Sequence, residues 1–491
     1  MLKRFKYFIL VPSSIIVLSA SIPAKDDLDT VFERINQEVL ANSRAYETLS
    51  EACKTIGHRL TGSKNGKMAE EYAFNLLKSY GFKNVKYHPF QVMAWSRDTV
   101  SLQIAPENSD DFRNVQVTAL ASTPVESNMK GSLIDLGNGL EADFERMKDQ
   151  VAGKVVLMNL GLVGLPKETK NLHRSEKTAL AIKNGATGVI MVNQVPKNVL
   201  LTGTASVTGS LINIPAVCIS MESGIQIRSW IEENPKLLAF IDMKNHSSLI
   251  KARNVVATIR GSKYPNEKII IGGHLDSWDL ATGAMDNGIG SFSVLDIART
   301  FKALNISPKR TIEFVLFMGE EQGLLGSRAM VKDYIRKQSL GSVKYMVNLD
   351  MVNNVQGFNV GGRDEMIDFT RGIGEKIKKV DSTFLNTVSN RAGLHSDHQG
   401  FMIEGVPTMN PNGNFSPEAL GCYHANCDKI DIINKKEMMN TVRYTSMMLY
   451  ALANTSELKA KKLNAQATKT FLIDQGLKNE LIIGRDWRWK D

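Results

Sequence analysis

The sequence predicts an α/β protein, a mostly parallel sheet with helices on both faces, interrupted by an inserted β-rich domain. Two observations predict it. From residue 251 onward, wholly apolar runs such as KIIIGGH and TIEFVLFMGEE alternate with amphipathic helical stretches, the pattern of buried parallel strands and their crossover helices. Between about 105 and 250 the texture changes to short β-runs (GSLIDL, KVVLMNL, TGVIMVN, IPAVCIS) separated by turn signals, with one helix, EKTALAIKNGA.

The elements follow in order. Lys3, Arg4 and Lys6 precede the apolar FILVPSSIIVLSA, and Ala24 stands just before the polar KDDLD. A basic start, a short apolar run and a small residue before a polar stretch describe a signal peptide over 1–24 and a secreted or periplasmic mature chain. The run is short for a membrane span, and no later segment is long enough for one, so no stable membrane span is expected. Residues 26–57 carry helical periodicity through Leu28, Val31, Phe32, Ile35, Val39 and Leu40. The loop HRLTGSKNG leads to a helix over about 66–80, stopped by Gly81, and then to the β-like VKYHPFQVMAW. After the insert come strand KIIIGGH, helix DNGIGSFSVLDIARTFKAL, strand TIEFVLFMGEE, helix GLLGSRAMVKDYI and strand YMVNLDMV. A hairpin-like GFNVGG, a helix at 364–379, short strands near TVS and GVPTMN, and a helix at 434–453 complete the set. The domain division is therefore 1–24 leader, 25–104 first part of the main domain, 105–250 insert, 251–455 remainder of the main domain, and 456–491 a tail with no clear motif.

Composition narrows the function classes. Of the formal charge of +9, three units lie in the leader, which leaves +6 scattered over the mature chain. Only KAKK near 459 forms a cluster, so no nucleic-acid partner is expected. Four cysteines do not make a disulfide framework; Cys422 and Cys427 are close enough to bridge a loop, while Cys53 and Cys218 read as core residues.

Chemistry gathers where strands end. In open α/β sheets ligands bind beyond the carboxyl ends of the strands. Four stretches put acids or histidines there: HLDSWD (274–279) with DNG (286–288), GEE (319–321), NLD (348–350) and, in a later loop, YHANCDKID (423–431). Buried carboxylates need a positive partner, and nothing basic lies between 272 and 290. Carboxylates and imidazoles together are the donor set that suits zinc, and their number calls for more than one ion. His274 and Asp276, two apart on an extended segment, share a side, which suits a ligating histidine whose other ring nitrogen is held by a carboxylate. Asp286 alone would read as a helix N-cap; beside the other clusters it could bridge two ions. Adjacent Glu320 and Glu321 repel, and their side chains point apart, so one can bind metal while the other moves protons.

The order His-x-Asp, Asp-Asn-Gly, Glu-Glu, Asp, His resembles the M28 family of zinc peptidases, and within it the carboxypeptidase Q branch. GHRLTGS, SDHQGF at 396–401 and an insert similar to a protease-associated domain extend the likeness to all but the tail. The resemblance implies the zinc-dependent exopeptidase fold and two Zn2+ ions, one on His274 and Asp350, the other on Glu321 and His424, with Asp286 bridging. It implies Glu320 as general base and Asp276 as the acid behind His274; Tyr423, His395 and His398 would line the substrate pocket or help stabilise the oxyanion, with loop packing the other reading for the two histidines. The implied activity is hydrolysis of short peptides, chiefly free dipeptides, with aminopeptidase action on longer peptides as the alternative. A glutaminyl cyclase or an inactive receptor-like protein are the other readings, and retention of all seven positions speaks against both. The likeness also hints at a homodimer, which no residue pattern here establishes. The insert is expected to act as a lid or docking surface, or only to support the fold.

Overall fold

The computed structural model describes residues 27–490, so the expected leader at 1–24 lies outside the described residues. Three parallel strands form the centre of the main domain: Tyr264–His274 lies between Val343–Asn348 and Arg310–Phe317. Thr408–Asn412 extends the parallel set beyond Val343–Asn348. Both faces are covered, as the apolar runs require. Ile269, Ile271, Phe314 and Leu316 face a core built with helices Ile289–Ala303 and Lys435–Asn454. The intervening Ile270, Val315 and Phe317 pack with Met330 and Val331 of helix Leu325–Arg336 on the other side. Alternate side chains of a strand point to opposite faces, so a strand buried on both has no polar positions to spare.

Two long antiparallel strands, Val85–Pro106 and Leu237–Ile259, run through both domains. The end of the second pairs with Arg310–Phe317 in the main domain, and its beginning pairs with Glu126–Asp135 in the insert. The result is one continuous 14-stranded sheet.

Several expectations need correction. The insert contains four helices, Glu141–Arg146, Lys148–Val151, Arg174–Lys183 and Met221–Glu233, around the parallel strands Val155–Asn159, Gly188–Val192 and Ala216–Ile219. The β-rich reading of the insert stands, with three helices beyond the one expected. Residues 26–57 form two helices, Leu28–Asn42 and Ala45–Thr55, because the chain turns at Ser43 and Arg44, which both bond to Asp296. The segment GFNVGG is no hairpin: Gly357–Asn359 pairs in parallel with Thr387–Ser389 and antiparallel with Thr408–Asn412. The tail folds into helices Ala465–Asp474 and Lys478–Ile483. Among the described residues no helix is long and apolar enough to cross a membrane.

Candidate metal centre

Parallel neighbours end side by side, and this places the donors. His274 closes the middle strand, Asp350 follows one neighbour and Glu320 and Glu321 follow the other. Backbone must approach backbone closely there: a Cβ on Gly273 would fall 2.3 Å from the Leu349 carbonyl, so only glycine fits before His274.

Asp286 does not cap a helix as its sequence context suggested. Its backbone is non-helical (φ −113°, ψ 98°), and the regular helix begins at Ile289. Its carboxylate is thereby free to face the site. Oδ1 lies 3.3 Å from His274 Nε2 and Oδ2 lies 2.8 Å from His424 Nε2. His274 Nε2 is also 3.3 Å from Asp350 Oδ1, and His424 Nε2 is 3.1 Å from Glu321 Oε2. Two three-residue groups result, His274–Asp286–Asp350 and Asp286–Glu321–His424, with donor atoms of each group within 4.8 Å of one another. They share Asp286. Glu320 Oε2 stands 3.9 Å from His274 Nε2 in the same cleft.

The outer contacts fix these side chains. His274 Nδ1 meets the main-chain carbonyl of Asp276 at 3.1 Å, while the Asp276 carboxylate is 3.8 Å away, so the expected carboxylate–imidazole bond is replaced by a carbonyl. The carboxylate instead accepts from the Glu320 amide at 3.3 Å. His424 Nδ1 meets the Thr202 carbonyl of the insert at 3.1 Å, and the Thr202 amide donates back to the His424 carbonyl. Ser396 donates to Asp350 Oδ2 at 2.5 Å.

Three supports were not singled out from sequence. Asp428 accepts from the amides of Met285 (2.6 Å) and Asp286 (3.0 Å), holding the shared carboxylate from behind. Arg59, from the GHRLTGS loop, is fully buried and donates to the carbonyls of Leu275, Thr282 and Gly283, which pins the loop between His274 and Asp286. Arg97 forms a two-pronged pair with Asp279, both contacts at 2.8 Å, and also donates to Thr202 Oγ1 and the Ala119 carbonyl. The second aspartate of HLDSWD therefore has an arginine, not a metal, as its counter-charge.

The donor set fits cations. Burial, with Asp350, Glu321 and Asp397 nearby, pushes Glu320 well above the ordinary carboxylate range, and burial also raises Glu321. Burial works against ionising Asp286, yet His274 and His424 hold it well below that range. Glu321 Oε1 is buried without a hydrogen-bond partner. Among the described residues these acids form ion pairs with histidines but with no lysine or arginine. Imidazoles and carboxylates spaced this way match zinc ligation.

The cleft is a cavity of about 320 Å³ that contains all the donors. Tyr423 lines it and stacks on His424 with ring centroids 3.9 Å apart. His395 lines it too, stacked on His173 at 4.7 Å and 3.5 Å from Glu176. His398 does not: it is buried beside Asn348 and the Gly393 carbonyl, which makes it loop packing. Glu480, Leu481, Gly484 and Asp486 of the tail form part of the wall.

Comparison with known proteins agrees with this geometry. Residues 254–449 match the model of peptidase family M28, and 125–227 match the PA domain. Residues 254–449 thus form a peptidase family M28 domain, and the insert carries a PA domain. The chain is 25% identical over 423 residues to carboxypeptidase Q of Xenopus laevis, covering 85% of this chain and 87% of the relative. Among solved structures, an M28 peptidase precursor from Shewanella amazonensis superposes with a TM-score of 0.73 at 22% identity, covering 89% of this chain and 99% of that one. A structure described as a zinc aminopeptidase from Bacillus subtilis gives 0.63 at 24% identity, covering 86% and 97%. These two likenesses establish the M28 fold.

Proposed function

We infer that the chain is an exported exopeptidase that hydrolyses short peptides, chiefly free dipeptides, with two zinc ions held by His274, Asp286, Asp350, Glu321 and His424. The observation that carries this reading is the single carboxylate of Asp286 standing between two donor groups, with Glu320 beside them. Zinc bound there would polarise the scissile carbonyl and acidify water. Glu320 takes the proton from the attacking water and returns it to the leaving amine. Asp276, through the Glu320 amide, keeps that carboxylate aimed into the cleft. The expectation of export rests on the basic and apolar residues of 1–24.

Cavity size supports short substrates. At about 320 Å³, walled by the insert on one side and the tail on another, it lies at the low end for ligand pockets, a size that suits short peptides. The deciding experiment follows by mass spectrometry the zinc-loaded mature protein acting on a free dipeptide, its N-acetyl form and a longer peptide with the same first residue. Cleavage of the free dipeptide alone is expected. Stepwise loss from the N-terminus of the longer peptide would make the protein an aminopeptidase, and no cleavage with zinc bound would end the peptidase reading.

A further inference from the structure

The cavity wall contributed by the insert holds a charge that the hydrolytic machinery does not use. Arg174 opens the helix Arg174–Lys183, is only 7% exposed and lines the cavity that contains the metal-site donors. Two arginines line this cavity. Arg328 is neutralised by Asp486, with contacts of 2.5 and 2.6 Å. Arg174 forms no ion pair among the described residues, and its Nε is buried with no hydrogen-bond partner. The fold makes deliberate room for it. Gly203 has φ +141°, and a Cβ there would fall 2.0 Å from Arg174 Nε and 2.1 Å from its Cζ. Tyr423, whose ring stacks on His424, lines the same cavity. A buried guanidinium without a counter-ion is costly, and it fits a carboxylate two-pronged when one arrives.

We propose that Arg174 is the specificity residue that binds the free α-carboxylate of the substrate. The inference rests on the peptidase reading above and deepens it. In a dipeptide the carboxylate follows the scissile bond by one residue, roughly 3.8 Å of chain, so a cation next to the donor cluster meets it while the carbonyl faces the metals. In a longer peptide the carboxylate lies farther away and an uncharged amide occupies this position. Preference for dipeptides is then an electrostatic choice made by the insert as well as a matter of space. Arg174 takes no part in proton transfer. Its removal would weaken carboxylate-bearing substrates selectively, whereas a group that stabilised the oxyanion would affect every substrate alike.

The test compares an equimolar set of free dipeptides with the same set as C-terminal amides, using the zinc-loaded protein, Arg174→Met and Arg174→Lys. The parent is expected to favour the acids. Arg174→Met should lose roughly 10²- to 10³-fold in kcat/KM on the acids, the scale for truncating one partner of a buried charge pair, and change little on the amides. Arg174→Lys should recover part of the preference, since it keeps the charge but not the fork. Equal loss on acids and amides, or an unchanged ratio, would overturn the proposal. A binding measurement separates it from the peptidase reading: calorimetry with leucine and leucinamide reads the carboxylate site without turnover. Arg174-dependent preference for leucine in a protein that cleaves nothing would keep the carboxylate site and refute the peptidase. Turnover without any preference, in calorimetry or kinetics, would do the reverse. Zinc content and the unfolding midpoint report whether the variants fold; should Arg174→Met fail to, the parent's acid-to-amide ratio and Arg174→Lys still decide.

Discussion

Asp428 offers the sharpest test of how the shared carboxylate is held. Its two oxygens accept from the amides of Met285 and Asp286 at 2.6 and 3.0 Å, and it is 3% exposed. Asp428→Asn keeps the shape but has only one oxygen. One buried amide is left facing an NH2 group, which costs about 1–3 kcal/mol, and the other loses its charge-assisted partner. If about 2 kcal/mol of this is felt by the metal-loaded state alone, zinc binding weakens by roughly 30-fold, within the range of about 10- to 100-fold typical of groups that support metal ligands. A competition titration against a chromophoric chelator measures it, with the exposed Asp431→Asn three residues away as control. Zinc affinity within a factor of about two of the parent would refute the claim that Asp428 holds Asp286 in place.

Three other outcomes are expected. Glu320→Gln should keep its zinc, measured by elemental analysis, and lose roughly 10²- to 10⁴-fold in kcat, the contribution typical of a positioned acid–base group; near-full turnover would remove Glu320 from its role. Burial works against ionising Asp279, but its pair with Arg97 lowers its proton affinity below the ordinary value, so the pair stabilises the fold above about pH 4 and that stability fades as pH falls further. Asp279→Asn should accordingly lower the urea midpoint at pH 7 and flatten its acid dependence; an unchanged pH profile would show that the pair contributes nothing. Cys422 and Cys427 form a disulfide five residues apart, next to Tyr423 and His424, and loop-closure entropy predicts a loss of about 2 kcal/mol on replacing both with serine. Denaturant titration of the double variant measures that loss, and a midpoint equal to the parent's would show that the loop is held by its other contacts.

What could be read from the sequence depended on locality. The donors were legible because each acid or histidine follows an apolar run, and parallel neighbours bring such ends together whatever lies between them in sequence. The contacts of the donors were less so. Nothing in HLDSWD says that His274 will choose the Asp276 carbonyl over its carboxylate, since both lie in reach of one extended turn. Asp428 sat inside a quoted acidic stretch, yet its role depends on amides 142 and 143 residues away. Arg174 and Thr202 lie in the insert, and only the two long strands bring them to the site. The helix Met221–Glu233 did leave a signal, since Ser220 caps it by accepting from the Ser223 amide. It was masked by the short β-runs around it, and Gly224 inside it, packed against Val192, weakens the helical pattern.

The insert is better understood as a fixed wall than as a lid. A lid needs a hinge, and a hinge needs a few residues whose rotation breaks little. Here the connection is a pair of strands, 22 and 23 residues long, hydrogen-bonded to each other across both domains. Opening would also break the Leu201–Ala425 bridge, the reciprocal bonds between Thr202 and His424, and the Arg97 network that joins Asp279 to Thr118, Ala119 and Thr202. On the far side, Lys170 of the insert bonds the Gly476 carbonyl and pairs with Glu480, and Asn479 bonds Glu141, so the tail fastens the insert from outside. Two of these ties involve residues of the cleft itself, His424 and Glu480. Moving the insert would strip His424 of the Thr202 carbonyl that orients its ring, so a cleft that opened for long peptides would loosen one of its own candidate metal donors. On the proposed function, selection by length would then reside in the walls of a fixed cleft, and Arg174 is a charge those walls present.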